Sequence, residues 1–264
     1  MASGWLTALA WFYLSVCFCC AGLIAWDIVI SHRRQPMGVM NFVFPIVALY
    51  FGPFAVAFYW RWARASRPMA MPQVSQMRAP VLAGDGGQTI GPLHMAAVPV
   101  RDGRNESASG DGRPRPWWVT IAVEVGHCGS GCALGDLVSE FVVFALALTV
   151  AGLTLGAEYI GDYVLALIFG IIFQYFAIAP LRGLGVKDGL VAATKADFIS
   201  LTAFEIGLFG WMAIMTFVLF PAPDNLMPNS AAFWLLMQVG MIIGYFTSWP
   251  ANVWLIQRGI KVPM

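Results

Sequence analysis

The sequence predicts an all-α fold, a polytopic bundle of membrane-spanning helices. Three observations lead there. Hydrophobic residues make up 59% of the 264 and charged residues only 11%, where a soluble domain carries about 25% charged. The apolar residues fall into about six stretches of the roughly 20 residues that a helix needs to cross a bilayer. Trp (11) and Phe (19) are abundant, as interfacial belts and lipid-facing surfaces require. The expected partner is therefore the lipid bilayer. A net charge of +1 gives nucleic-acid binding no electrostatic support.

The first span covers residues 5–31 and carries Cys17, Cys19, Cys20 and, near its end, Asp27. Its apolar run exceeds the roughly 7–15 residues of a cleavable signal core, and no Lys or Arg precedes it. It is expected to be retained, with its cysteines as small packing residues. A polar turn at Ser31 to Pro36 leads to a second span, 38–62, with Asn41 and Pro45 inside and a kink expected at Gly52-Pro53. Proline is tolerated in a membrane helix when neighbours satisfy the freed carbonyls. Residues 1–62 thus read as a two-span module.

Composition shifts at Ala63. Through residue 116 Pro, Gly, Ser, Met and Arg dominate without an apolar period, which predicts a flexible linker. Met69, Met71, Met77, His94 and Met95 are groups that suit Cu(I), but in this composition they read as incidental. Residues 117–264 read as a four-span module. Trp117 to Val125 is an apolar lead-in below spanning length. A third span is expected from about Ala133 to Leu155, a fourth from about 162 to 181 with Gln174 inside, a fifth from Asp197 to Phe220, and a last from about 230 to 256. Glu158 and Asp162 read as a solvated acidic turn, and 182–196 as a polar connection.

Basic residues concentrate in the linker, in the 182–196 connection and in the tail with Arg258 and Lys261. By the positive-inside tendency, linker and C-terminus face the cytoplasm. With six spans the N-terminus joins them. His32-Arg33-Arg34 disagrees, because six spans place it outside.

The polar core begins at Gly126-His127-Cys128-Gly129-Ser130-Gly131-Cys132 and continues to Glu140. Cys128, Cys132, Asp136 and Glu140 are spaced by four, and Glu124 continues the series backwards. On a helix that spacing makes one stripe. An ionisable group inside a membrane costs roughly 2.5–3.5 kcal/mol on insertion scales, so each needs a reason to be there. Counting from the expected span starts, Glu140 lies about 10 Å deep and Glu205 about 12 Å. Asn252 falls near the level of Asp136. With Asp197 and Lys195 these residues outline a pocket open to the cytoplasm. Asp136, Glu140, Asp197, Glu205 and Asn252 are its candidate proton or ion relay.

Three readings of the motif stand side by side. In the first, His127, Cys128 and Cys132 bind or transport a transition-metal ion, Zn or Cu, with glycines 126, 129 and 131 unwinding the backbone so that the three converge. In the second, Cys128 and Cys132, about 6 Å apart on a helix, form a thiol–disulfide couple of a membrane oxidoreductase. In the third, small residues serve close helix packing and the chain is a structural or accessory subunit. No phosphate loop, Ser–His–Asp pattern or dinucleotide fingerprint is present, so no catalytic residue is assigned.

Several stretches carry a resemblance: Arg33-Arg34-Gln35-Pro36-Met37 through Asn41, Ala48-Leu49-Tyr50-Phe51-Gly52-Pro53, His127 through Asp136, Lys195-Ala196-Asp197 with Leu201 to Glu205, and Trp254 to Met264. On these residues the chain resembles the bacterial membrane family catalogued as domain of unknown function 4396. The resemblance implies a helical fold in the bacterial inner membrane. It brings no established activity.

Overall fold

The computed structural model describes residues 3–35, 37–65, 116–182 and 185–261. The expected linker, with Met69, Met71, Met77, His94 and Met95, lies outside the described residues except at its edges. Among the described residues the chain forms seven α-helices and no sheet: α1 (Gly4–Val29), α2 (Met40–Phe51), α3 (Pro53–Phe58), α4 (Trp117–Leu146), α5 (Thr154–Arg182), α6 (Val186–Ile214) and α7 (Ala231–Gln257). A π-helical turn extends α3 to Ala63, and another extends α6 to Leu219. Helices α1, α4, α5, α6 and α7 are long and apolar enough to cross a membrane. The protein is a multi-pass membrane protein.

The second apolar stretch is helical but does not cross. Gln35 Nε2 donates to the Ala63 carbonyl at 3.0 Å, and Arg33 donates to that of Ala65 at 3.0 Å. Both ends of 35–65 therefore lie at the same end of the bundle. In between, α2 runs in about 18 Å and turns at Gly52, whose φ of 54° and ψ of −126° suit glycine. Helix α3 and its π-helical turn then run back out. The Phe44 and Tyr59 rings of the two arms meet at 5.4 Å. Gly52 is a turn rather than the expected kink because its positive φ reverses the chain, and a Cβ there would also press on Cys17 Sγ at 3.1 Å. Gln238 and Tyr13 satisfy carbonyls at the tip, donating to Leu49 and Tyr50 respectively. That is what irregular backbone at membrane depth requires.

This re-entrant hairpin corrects the expected topology. Asp27, near the end of α1, pairs with Arg64 and accepts from Tyr59 at 3.1 Å. The end of α1 therefore shares a face with the hairpin ends, and Gly4 lies on the opposite face. Trp118, at the start of α4, meets Phe58 and Trp62 at 6.3 and 5.6 Å, so α4 starts on the hairpin's face too. Arg33 and Arg34 join the other basic residues there, and the conflict posed by His32-Arg33-Arg34 disappears.

The lead-in and the third span are also one helix. Helix α4 runs unbroken through 117–146, so the Cys motif sits at mid-helix rather than at its lip. The glycines do not unwind it; they let neighbours in. A Cβ on Gly131 would lie 2.8 Å from the Gly170 Cα, one on Gly135 2.7 Å from the Ala166 Cα, and one on Gly129 2.9 Å from the Phe204 ring. Gly131-x3-Gly135 on α4 thus meets Ala166-x3-Gly170 on α5, the small-residue seam by which helices associate in lipid. Gly244 on α7 packs in the same way on Phe204 of α6.

Candidate functional site

The buried stripe of α4 sorts its residues by depth. Toward the hairpin face, Cys128 Sγ donates to Asp197 Oδ1 at 2.6 Å and lies 3.2 Å from Ser200 Oγ. Asp197 and Ser200 are one turn apart on α6. Into this group reaches Lys261, four residues past the end of α7. Its Nζ lies 3.0 Å from Cys128 Sγ, 3.0 Å from Asn252 Oδ1, 3.4 Å from Asp197 Oδ1 and 3.4 Å from Glu124 Oε2. Gly259, with φ of 67°, turns the tail back so that this is possible. Burial alone would depress the Lys261 ammonium. The Cys128 sulfur and the Asp197 and Glu124 carboxylates around it outweigh burial and hold it above the ordinary lysine value.

One turn deeper, Cys132 lies beside Glu205 and Asp136. Asp136 in turn feels Glu205, Asp162 and Glu140. Glu140 feels Asp162 and Glu158 near the far face. Asp136, Glu140, Asp162 and Glu205 are each 0–1% exposed. Ser139 stands beside Asp162 and Cys132 beside Glu205, whereas the carboxylate oxygens of Asp136 and Glu140 have no hydrogen-bond partner among the described residues. Leaving such oxygens without donors is costly in a low-dielectric interior. A proton, a water or a cation must be their partner.

From Glu124 to Glu140 the stripe covers about 24 Å along the helix axis, against a hydrocarbon core of about 30 Å. Ionisable side chains occupy every turn of it, and α5, α6 and the tail add others alongside. Tyr50, at the hairpin tip, brings a buried hydroxyl, without a hydrogen bond among the described residues, against Gly129, near Cys132 and Cys128.

The structure brings together Cys128, Asp197 and Asn252 in one cluster, and Cys132, Asp136, Glu140 and Glu205 in the next. The His127 ring has no hydrogen bond to either among the described residues, although Asp197 and Lys261 of the first lie within electrostatic reach of it. A helix turns about 100° per residue, and the His127 ring sits beside Gln174 and 6.1 Å from the Phe173 ring. Among the described residues no group of three or more His, Cys, Asp and Glu is placed to hold a metal ion. Cys128 and Cys132 are free thiols with different partners. Lys195 is exposed and lines nothing; Lys261 supplies the cation expected of it. Asn252 stands level with Cys128 rather than with Asp136. Asp162, expected to be solvated, is fully buried.

Five transmembrane helices, a re-entrant hairpin and an ionisable stripe through the core define an integral membrane protein with a polar membrane interior. The family described as a domain of unknown function (DUF4396) matches residues 117–261, and the chain belongs to that family. The matched region is α4 to Lys261, so the similar stretches at 33–41 and 48–53 lie outside it. Comparison with curated proteins and with solved structures finds no match.

Proposed function

We propose that the module from α4 to Lys261 moves protons across the membrane along its ionisable stripe. The observation that carries this reading is the continuity of the file: Glu124, Asp197 and Cys128, then Cys132, Glu205 and Asp136, then Asp162, Glu140 and Glu158. Each group lies near the next, and the Asp136 and Glu140 carboxylates in its middle have no hydrogen-bond partner among the described residues to hold a proton fixed. Intramembrane carboxylates are costly, and chains of them are used as proton relays. The positive-inside tendency supports a cytoplasmic hairpin face in a cell membrane, because Arg33, Arg34, Arg61, Arg64, Lys187 and Arg258 gather there and Glu158 and Asp224 lie opposite.

The test uses purified full-length protein in liposomes loaded with a pH-sensitive dye, under a potassium diffusion potential set by valinomycin. Proton uptake above that of empty liposomes is expected. Uptake equal to theirs removes the reading. Replacing external sodium by choline then shows whether a second cation is coupled. Zn or Cu as bound or transported ion rests on the donor chemistry of His127, Cys128 and Cys132 alone. Elemental analysis of wild type beside Cys128→Ser/Cys132→Ser tests it, and equal metal content removes it.

A further inference from the structure

The Lys261 ammonium occupies a cradle of buried polar side chains. Its neighbours come from three helices: Cys128 on α4, Asp197 on α6 and Asn252 on α7 accept its hydrogen bonds, and Glu124 on α4 forms an ion pair with it. They stand 3.0–3.4 Å from Nζ. That spacing fits an ammonium, with Cys128 and Asn252 at hydrogen-bond distance and the two carboxylates at ion-pair distance. It is too wide for Zn at about 2.0–2.3 Å or Ca at about 2.3–2.6 Å. All of these side chains are 0–1% exposed.

Lys261 is not built into a helix. It follows the turn at Gly259, and the tail's hydrogen bonds to α7 are backbone bonds from Arg258, Gly259, Ile260 and Lys261 to Trp254, Leu255 and Ile256. A rotation at Gly259 therefore withdraws the ammonium without unfolding a spanning segment. We infer that Glu124, Cys128, Asp197 and Asn252 form a binding site for ammonium or a small primary ammonium ion, and that Lys261 is its tethered occupant, which closes the site from the hairpin face. The inference stands on the cradle and does not depend on proton movement along the stripe.

The experiment measures binding rather than flux. The thermal midpoint of detergent-purified full-length protein is titrated with ammonium and methylammonium chloride, with tetramethylammonium chloride at equal ionic strength as the size control. Lys261→Ala empties the cradle and the space taken by the lysine stem. Its midpoint is expected to start below wild type and to rise saturably, by several degrees, with ammonium and methylammonium but not with tetramethylammonium. Wild type stays flat, and so does Lys261→Met, whose side chain keeps the space of the stem filled. The double variant Lys261→Ala/Glu124→Gln removes one carboxylate together with the ammonium and serves if the single variant does not accumulate. It is expected to keep a weaker, still saturable rise. A Lys261→Ala midpoint as flat as wild type overturns the inference, as does a flat double variant or an equal response to tetramethylammonium.

Discussion

Replacing Gly135 by Ala tests the seam that holds the acidic file together. A Cβ there would stand 2.7 Å from the Ala166 Cα and 2.8 Å from the Leu165 carbonyl carbon. Carbon atoms prefer about 3.5–4.0 Å, so α4 and α5 must part by about 1 Å. The obstructing atoms are backbone, and no rotamer change relieves them. Overpacking costs about 1–3 kcal/mol, and the rigid contact puts this case near 3 kcal/mol. Gly210→Ala is the matched control. It lies near the end of α6, where the helix continues into its π-helical turn, with nothing within 4 Å of its Cβ, so it should be neutral or favourable by up to about 1 kcal/mol. Denaturation of both variants in one detergent system gives the comparison. Proton uptake in liposomes should also fall for Gly135→Ala, because the added width enters between Asp136 on α4 and Asp162 on α5. A Gly135→Ala protein within about 0.5 kcal/mol of wild type would refute the close approach, since that is the scatter of harmless surface changes.

Three further outcomes are expected. Tyr50→Phe removes a buried hydroxyl without a hydrogen bond among the described residues and should leave stability unchanged or raise it by up to about 1 kcal/mol; a loss above about 2 kcal/mol in the same denaturation assay would reveal a partner. Asp27→Ala breaks the tie between α1 and the hairpin end, where Arg64 and Arg33 are 31% and 20% exposed; discounted for solvent screening, the loss should be about 1–2 kcal/mol, and Arg64→Ala should add little to it in a double-mutant cycle. Impermeant thiol reagents should label Ser31→Cys from the same side as Gln257→Cys and from the side opposite Asn229→Cys; labelling of Ser31→Cys from the side of Asn229→Cys would contradict the re-entrant hairpin.

The stripe was legible because helical spacing is a local property: Glu124, Cys128, Cys132, Asp136 and Glu140 repeat every four residues whatever surrounds them. Depth was not. Glycine and serine in 126–131 look like a break in water, whereas in lipid they let α5, α6 and the hairpin approach α4. That difference moved the motif from the lip of a span to its middle. The hairpin was hidden because a kink and a turn at Gly52-Pro53 share one sequence and differ in φ and ψ; the misplaced charges of His32-Arg33-Arg34 were the signal for it. Lys261 and Tyr50 reach the site from the tail and from the hairpin tip, over sequence distances that no period spans. Asp162 was read with Glu158 as a solvated pair because both lie near a turn, yet α5 already packs on α4 there.

The central claim is that protons move along the stripe, and Asp136 is its middle member, within the influence of Glu205, Asp162 and Glu140. The direct measurement is the initial rate of proton uptake by Asp136→Asn at matched protein per liposome and matched potential. Cys19→Ser, which changes an exposed residue of α1, is the control. The account predicts at least a tenfold lower rate for Asp136→Asn, about 1.4 kcal/mol in barrier, and a wild-type rate for Cys19→Ser. A folded Asp136→Asn protein with the wild-type rate would contradict it.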